Sequence, residues 1–164
     1  MIEWVDKIAD EQTRLALAVG ADGEGRDDTT RLQRGREGYR AEMAVRRYFG
    51  RAVPWHIKRP LVTNKPKPDF SDFIDVKGRT NKSHRLGVQR KVWCADFAYL
   101  LVCGADHPRY RIVSWCWGHE LATDDRWSDP GTGRPQWWVC ENDPIMKPPA
   151  ALLRLAVLRS RQLA

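Results

Sequence analysis

The chain has no run of 18 apolar residues, no Cys-x-x-Cys pair, no second histidine to complete His119-Glu120 as a metalloprotease helix, and no internal repeat. The first absence argues against a membrane-spanning helix, so no membrane association is expected. The second removes the usual zinc-knuckle spacing. Cys94, Cys103, Cys116 and Cys140 are therefore expected to be plain buried thiols, with a distorted zinc site or disulfides as the alternatives. The first three lie in strand-like or aromatic stretches, where cysteine behaves as a small buried hydrophobe. His119-Glu120 reads as a surface or capping pair. Gly23-x-Gly25 has no strand before it, so it is a loop rather than a phosphate cradle. The opening residues Met1 to Asp6 are acidic and amphipathic, unlike a signal peptide, and a cytoplasmic location is expected.

What is present is a basic, tryptophan-rich chain of one domain's length. At 164 residues it can bury roughly 70% of its unfolded surface without staples. The net charge of +7 is unevenly spread. From Arg31 to Lys91 there are 17 basic and 5 acidic residues, a net +12, which leaves −5 for the flanks. A concentrated positive stretch between acidic flanks is the footprint of a phosphate-backbone binder. A solvated basic face is the plainer alternative.

Hydrophobic spacing predicts a helix over 3–19 and a polar loop over 20–28. A second helix is predicted to be N-capped by Thr29 or Thr30 and to run to Phe49, with Gly50 as its stop. Pro54, Pro60, Pro66 and Pro68 exclude regular helix or central strand from the next stretch. A short strand then carries Phe73, Asp75 and Lys77 on one face and Ile74 and Val76 on the other, with Gly78 closing it. A further strand is expected around Leu86-Gly87-Val88. The apolar run Ala98–Cys103 fits a central strand buried on both faces. A turn over 104–108 joins it to a hairpin partner, Tyr110–Trp115. A short helix over 117–123, a turn over 129–133, a strand Gln136–Cys140 and a helix Ala150–Arg161 complete the order. Together these give a single α/β domain, a small mixed central sheet flanked by helices.

Two places carry candidate chemistry. On the second helix Gly38, Ala41, Glu42, Val45 and Phe49 share one face. A carboxylate on that apolar face is costly unless it is paired or binds a metal. Pairing of Glu42 with Arg46 four residues on is the structural alternative. In the segment 67–79, Asp75 and Lys77 are neighbours on one strand face, and a tight Ser71-Asp72 turn would return Asp69 to their side. Two carboxylates, a backbone carbonyl and waters are the oxygen donors that Mg²⁺ prefers. A polar hairpin with an incidental ion pair is the alternative, and Asp72 could replace Asp69 as the first acid.

At these residues the sequence resembles the PD-(D/E)xK nuclease superfamily. Pro68-Asp69 corresponds to the family's PD, Asp75-Val76-Lys77 to its (D/E)xK, and Glu42 to an additional acid on a preceding helix. The resemblance covers Gly35 to Cys103, with a looser likeness at 115–121 and 137–139 to small phage or prophage nucleases. The five residues between Asp69 and Asp75 are near the short end for the family. The resemblance implies a restriction-endonuclease-like core over 29–103, followed by a C-terminal hairpin, strand and helix over 104–164. It also implies Mg²⁺-dependent hydrolysis of DNA, with branched or repair DNA among the substrates and RNA as an open alternative. One or two Mg²⁺ (or Mn²⁺) ions would be held by Asp69, Asp75 and the Val76 carbonyl, with Glu42 binding directly or through water. Lys77 would orient the attacking water. Junction-cutting relatives act as symmetric dimers, so the resemblance leaves a homodimer open for this chain, and the expected location is the cytoplasm of a bacterial or phage-infected host cell.

The basic residues then acquire a role in positioning a phosphate backbone without reading sequence. Arg79, Lys82, Arg85, Arg90 and Lys91 would form one wall, with Gln89 as a polar member. Arg36, Arg40 and Arg47, with Lys65 and Lys67, would form the other. Trp137-Trp138 reads as core in preference to a base-stacking surface. A non-catalytic nucleic-acid-binding module with the same fold is the competing reading.

Overall fold

The computed structural model describes residues 28–50, 67–79, 85–106, 109–129 and 133–162, together with 10, 11 and 14. Most of the helix expected over 3–19, the loop that follows it, Lys65, Lys82 and Pro54 to Pro66 lie outside the described residues. Residues 10, 11 and 14 are helical. In chain order the elements are α1 (Asp28–Phe49), β1 (Ile74–Arg79), β2 (Arg85–Val88), β3 (Ala98–Asp106), β4 (Arg109–Trp117), α2 (Gly118–Leu121), β5 (Trp127–Ser128), β6 (Gln136–Cys140) and α3 (Pro149–Gln162).

The strands form two sheets rather than the one expected from the sequence. A mixed sheet has the order β1-β3-β4, with β1 parallel to β3 and β4 antiparallel to it. An antiparallel sheet has the order β2-β6-β5. The division follows from β3, whose two faces bury different layers. Ala98, Leu100 and Val102 pack with Ala41, Val45 and Phe49 of α1 and Leu152 and Ala156 of α3. Tyr99, Leu101 and Cys103 pack with Leu86 and Val88 of β2 and Trp137 and Val139 of β6. The continuous apolar run is thus a central strand buried on both sides. The molecule is an α/β domain in three layers: helices, mixed sheet, antiparallel sheet.

α1 begins at Asp28, so Thr29 and Thr30 lie inside it rather than at its cap, and it stops at Gly50. Gly50 has φ +64°, the left-handed conformation in which glycine carries no Cβ penalty. Gly78 does not close β1. The strand continues to Arg79, and a Cβ on Gly78 would sit 3.0 Å from the Ala41 Cβ. Glycine there lets α1 lie close against β1. Phe73 departs from the expected alternation, because it precedes β1 and joins the helix-side core with Ile74 and Val76. β3 and β4 extend to Asp106 and from Arg109, so the expected five-residue turn is shorter. All four cysteines are free thiols; Cys103 and Cys116 are buried, Cys94 is half-buried, and Cys140 is exposed, against expectation for a uniformly buried set. No helix among the described residues is long and apolar enough to cross a membrane.

Candidate active site

The site begins with a tight reversal before β1. Phe70 and Ile74 form an antiparallel bridge, and the Asp69 N–H donates to the Ile74 carbonyl at 2.8 Å. Ser71 takes φ +49° inside this turn, a left-handed conformation that costs a non-glycine residue roughly 1–2 kcal/mol. The result is the placement of Asp69. Its Oδ2 accepts the Val76 N–H at 2.6 Å, and the side chain is almost wholly buried. Asp72 is exposed in the same turn, so Asp69 is the acid folded back onto β1.

That hydrogen bond also orients the strand edge. β3 pairs with one edge of β1, and the Asp69 carboxylate caps the other. In extended backbone the N–H and C=O of one residue point to the same side. The Val76 carbonyl therefore also leaves β1 on the Asp69 edge.

Asp75 and Lys77 stand in register with Tyr99 and Leu101 and share the face toward the antiparallel sheet. Lys77 Nζ forms an ion pair with Asp75 Oδ2 and lies 5.6 Å from the Tyr99 ring centroid. Asp75 is 4% exposed, so its charge depends on such partners. Tyr99 completes the support: its hydroxyl donates to the Val92 carbonyl at 3.1 Å and accepts the Cys94 N–H at 2.7 Å. Burial pushes that hydroxyl well above the ordinary tyrosine value, so it stays neutral.

Glu42 is half-buried on α1. It follows Ala41, which touches the Gly78 position, so its helical turn lies against the strand of Asp75 and Lys77. Among the described residues no three His, Cys, Asp or Glu side chains form a preformed metal cage. The structure brings together Asp69, the Val76 backbone, Asp75 and Lys77, and holds Glu42 on the neighbouring helix.

Between β1 and the antiparallel sheet, at the Lys77 end, opens a cleft of about 540 Å³. Of the expected nucleic-acid contacts, Arg79 and Gln89 line it. Arg79 donates to the Arg85 carbonyl at 3.2 Å and the Gly87 carbonyl at 3.1 Å, and its guanidinium lies 5.4 Å from the Trp138 ring centroid. Burial pulls its pKa below the ordinary guanidinium value. Arg79 thus fastens β1 to the second sheet as well as lining the cleft. Arg36 makes a two-pronged ion pair with Asp10, at 2.8 and 2.7 Å. Lys67, Arg85, Arg90 and Lys91 are exposed, as is Arg47, and Arg40 is half-buried.

Sequence reasoning missed Arg34, Arg134 and Gln136 and set Trp138 aside as core, and all four line the cleft. Arg34 had a signal, one helical turn before Gly38. The other three come from around β6, and only strand pairing with β2 brings them here. Trp137 is core as expected, but Trp138 is on the alternate face and meets the cleft. Glu120, read as a capping residue, accepts the Trp117 N–H at 2.9 Å.

No family model, curated protein or solved structure matches the chain significantly.

Proposed function

We propose that this chain is a metal-dependent nuclease of restriction-endonuclease-like architecture, acting on DNA phosphodiester bonds. The observation that carries the reading is a pair of buried carboxylates at β1, Asp69 bound to the Val76 N–H at the strand's edge and Asp75 on its face beside Lys77, next to a cationic cleft. Each buried carboxylate costs desolvation that an apolar residue avoids, and a bound cation would offset that cost.

The donor set suits Mg²⁺ or Mn²⁺. Asp69, Asp75 and the Val76 carbonyl are hard oxygen ligands, and a small ion that keeps several waters needs no further protein cage. Glu42 on the adjoining helix would act through one of those waters. The bound ion supplies Lewis-acid stabilisation of the phosphate and a water of lowered pKa. Lys77, held beside Asp75, orients the attacking water and offsets charge developing on the phosphate. The Val76 N–H fixes the Asp69 carboxylate, so that acid is positioned before any ion arrives. Arg34, Arg79 and Arg134 hold the backbone of the substrate along the cleft.

The test is incubation of plasmid and branched DNA with Mg²⁺ or Mn²⁺, and then with EDTA. Cleavage that EDTA stops, and that Asp75→Ala and Lys77→Ala abolish in folded protein, is the expected result. Tight, salt-sensitive DNA binding without cleavage under either metal would replace the enzyme by a binding module.

A further inference from the structure

Among the described residues the cleft beside Lys77 is lined by four cations, Arg34, Lys77, Arg79 and Arg134, and by no carboxylate. The remaining polar wall is built from the Gln89 and Gln136 amides and the Trp138 indole. We propose that the cleft seats a single, unpaired nucleotide strand, with its phosphate toward the Lys77 end and a base against the Arg79–Trp138 stack. The inference rests on the nuclease reading and narrows its substrate to nucleic acid that is single-stranded at the site.

Three features point this way. First, a cleft of about 540 Å³ is of the size that holds one small ligand unit such as a nucleotide. Second, a guanidinium 5.4 Å from an indole centroid offers flat, cationic surface on which any base can stack. Gly87 makes that stack fit, because a Cβ there would lie 2.6 Å from Gln136 Oε1, 2.7 Å from Arg79 Nη2 and 2.7 Å from Trp138 Cζ3. Third, the two amides carry both donors and acceptors, which suit a base edge better than a second phosphate.

The experiment is fluorescence anisotropy in EDTA, so that nothing is cut, with labelled oligothymidine, oligouridine and a blunt duplex of equal length. Single strands should bind about tenfold or more tighter than the duplex, the oligothymidine and oligouridine arms ranking DNA against RNA. Trp138→Ala should weaken single-strand binding about fivefold or more, and Trp138→Phe should recover most of it. Arg34→Glu, an exposed change on α1 that does not threaten folding, should weaken it as well. Duplex bound as tightly as single strand, or Trp138→Ala and Arg34→Glu binding as the parent does, overturns the proposal. Single-strand preference without metal-dependent cleavage would keep the seat and remove the nuclease reading. Cleavage with duplex preferred would remove the seat alone.

Discussion

Removing Lys77 should destabilise the protein far more than neutralising Asp75, although the two form one ion pair. The Asp75 side chain is 6% exposed and that of Lys77 21%. Lys77→Met takes the Lys77 ammonium away from a buried carboxylate. Breaking a buried pair from one side costs about 3–5 kcal/mol, and the partial exposure of Lys77 lowers the expectation to about 2–3 kcal/mol. In a domain of this size that is a fall in Tm of roughly 4–12 °C. Asp75→Asn leaves an ammonium on a flexible stem that can turn toward solvent, so its cost should stay within about 1 kcal/mol. The same asymmetry bears on the metal. In the parent protein an ion must displace Lys77 from Asp75, whereas in Lys77→Met the ion supplies the missing charge. A ligand at 100 times its Kd stabilises by about 2.7 kcal/mol. Thermal unfolding with EDTA and with excess Mg²⁺ should therefore show a larger Mg²⁺ shift in Lys77→Met than in the parent, and none in Asp75→Asn. A Lys77→Met protein as stable as its parent, or blind to Mg²⁺, would refute the reasoning.

Asp69→Ala strands the buried Val76 N–H and should cost about 1–3 kcal/mol, while Asp69→Asn keeps an acceptor and should cost less; urea unfolding separates the two, and both should lose cleavage. Gly118→Ala would place a Cβ 2.0 Å from the Cys94 carbonyl oxygen and should cost roughly 3 kcal/mol or more. Gly38→Ala meets nothing within 4 Å inside α1 and should stabilise by about 0.5–1 kcal/mol, so paired melting curves with opposite signs are expected. Burial pushes the Cys116 thiol up to about 12, so the folded chain keeps a proton that the unfolded chain releases above about pH 8.5. Its contribution is complete below that pH and is lost as pH rises toward 12, about 2 kcal/mol between pH 8 and pH 10. Denaturant titrations should show a smaller alkaline loss for Cys116→Ala than for the parent.

Local pattern made much of the fold legible. The apolar spacing of Ala41, Val45 and Phe49 marked the face of α1 that meets the sheet, and the run 98–103 marked the central strand. Period two put Asp75 and Lys77 side by side, and a Ser71-Asp72 turn returned Asp69. The second sheet was not legible, because pairing between β2 and β6 joins segments about fifty residues apart, and nothing local encodes it. The two-residue β5 is too short to leave a period. That missing sheet hid the cleft: Arg134, Gln136 and Trp138 become neighbours of Lys77 only after it forms. Gly78 illustrates a different failure, since a glycine read as a strand stop is a close approach between helix and strand.

Counting bound Mn²⁺ by electron paramagnetic resonance addresses the two carboxylates without reference to any substrate. The parent protein should take up one or two ions, and folded Asp75→Asn should release them. An unchanged Mn²⁺ count in that variant, or no uptake by the parent, would mean that Asp69 and Asp75 serve the fold alone.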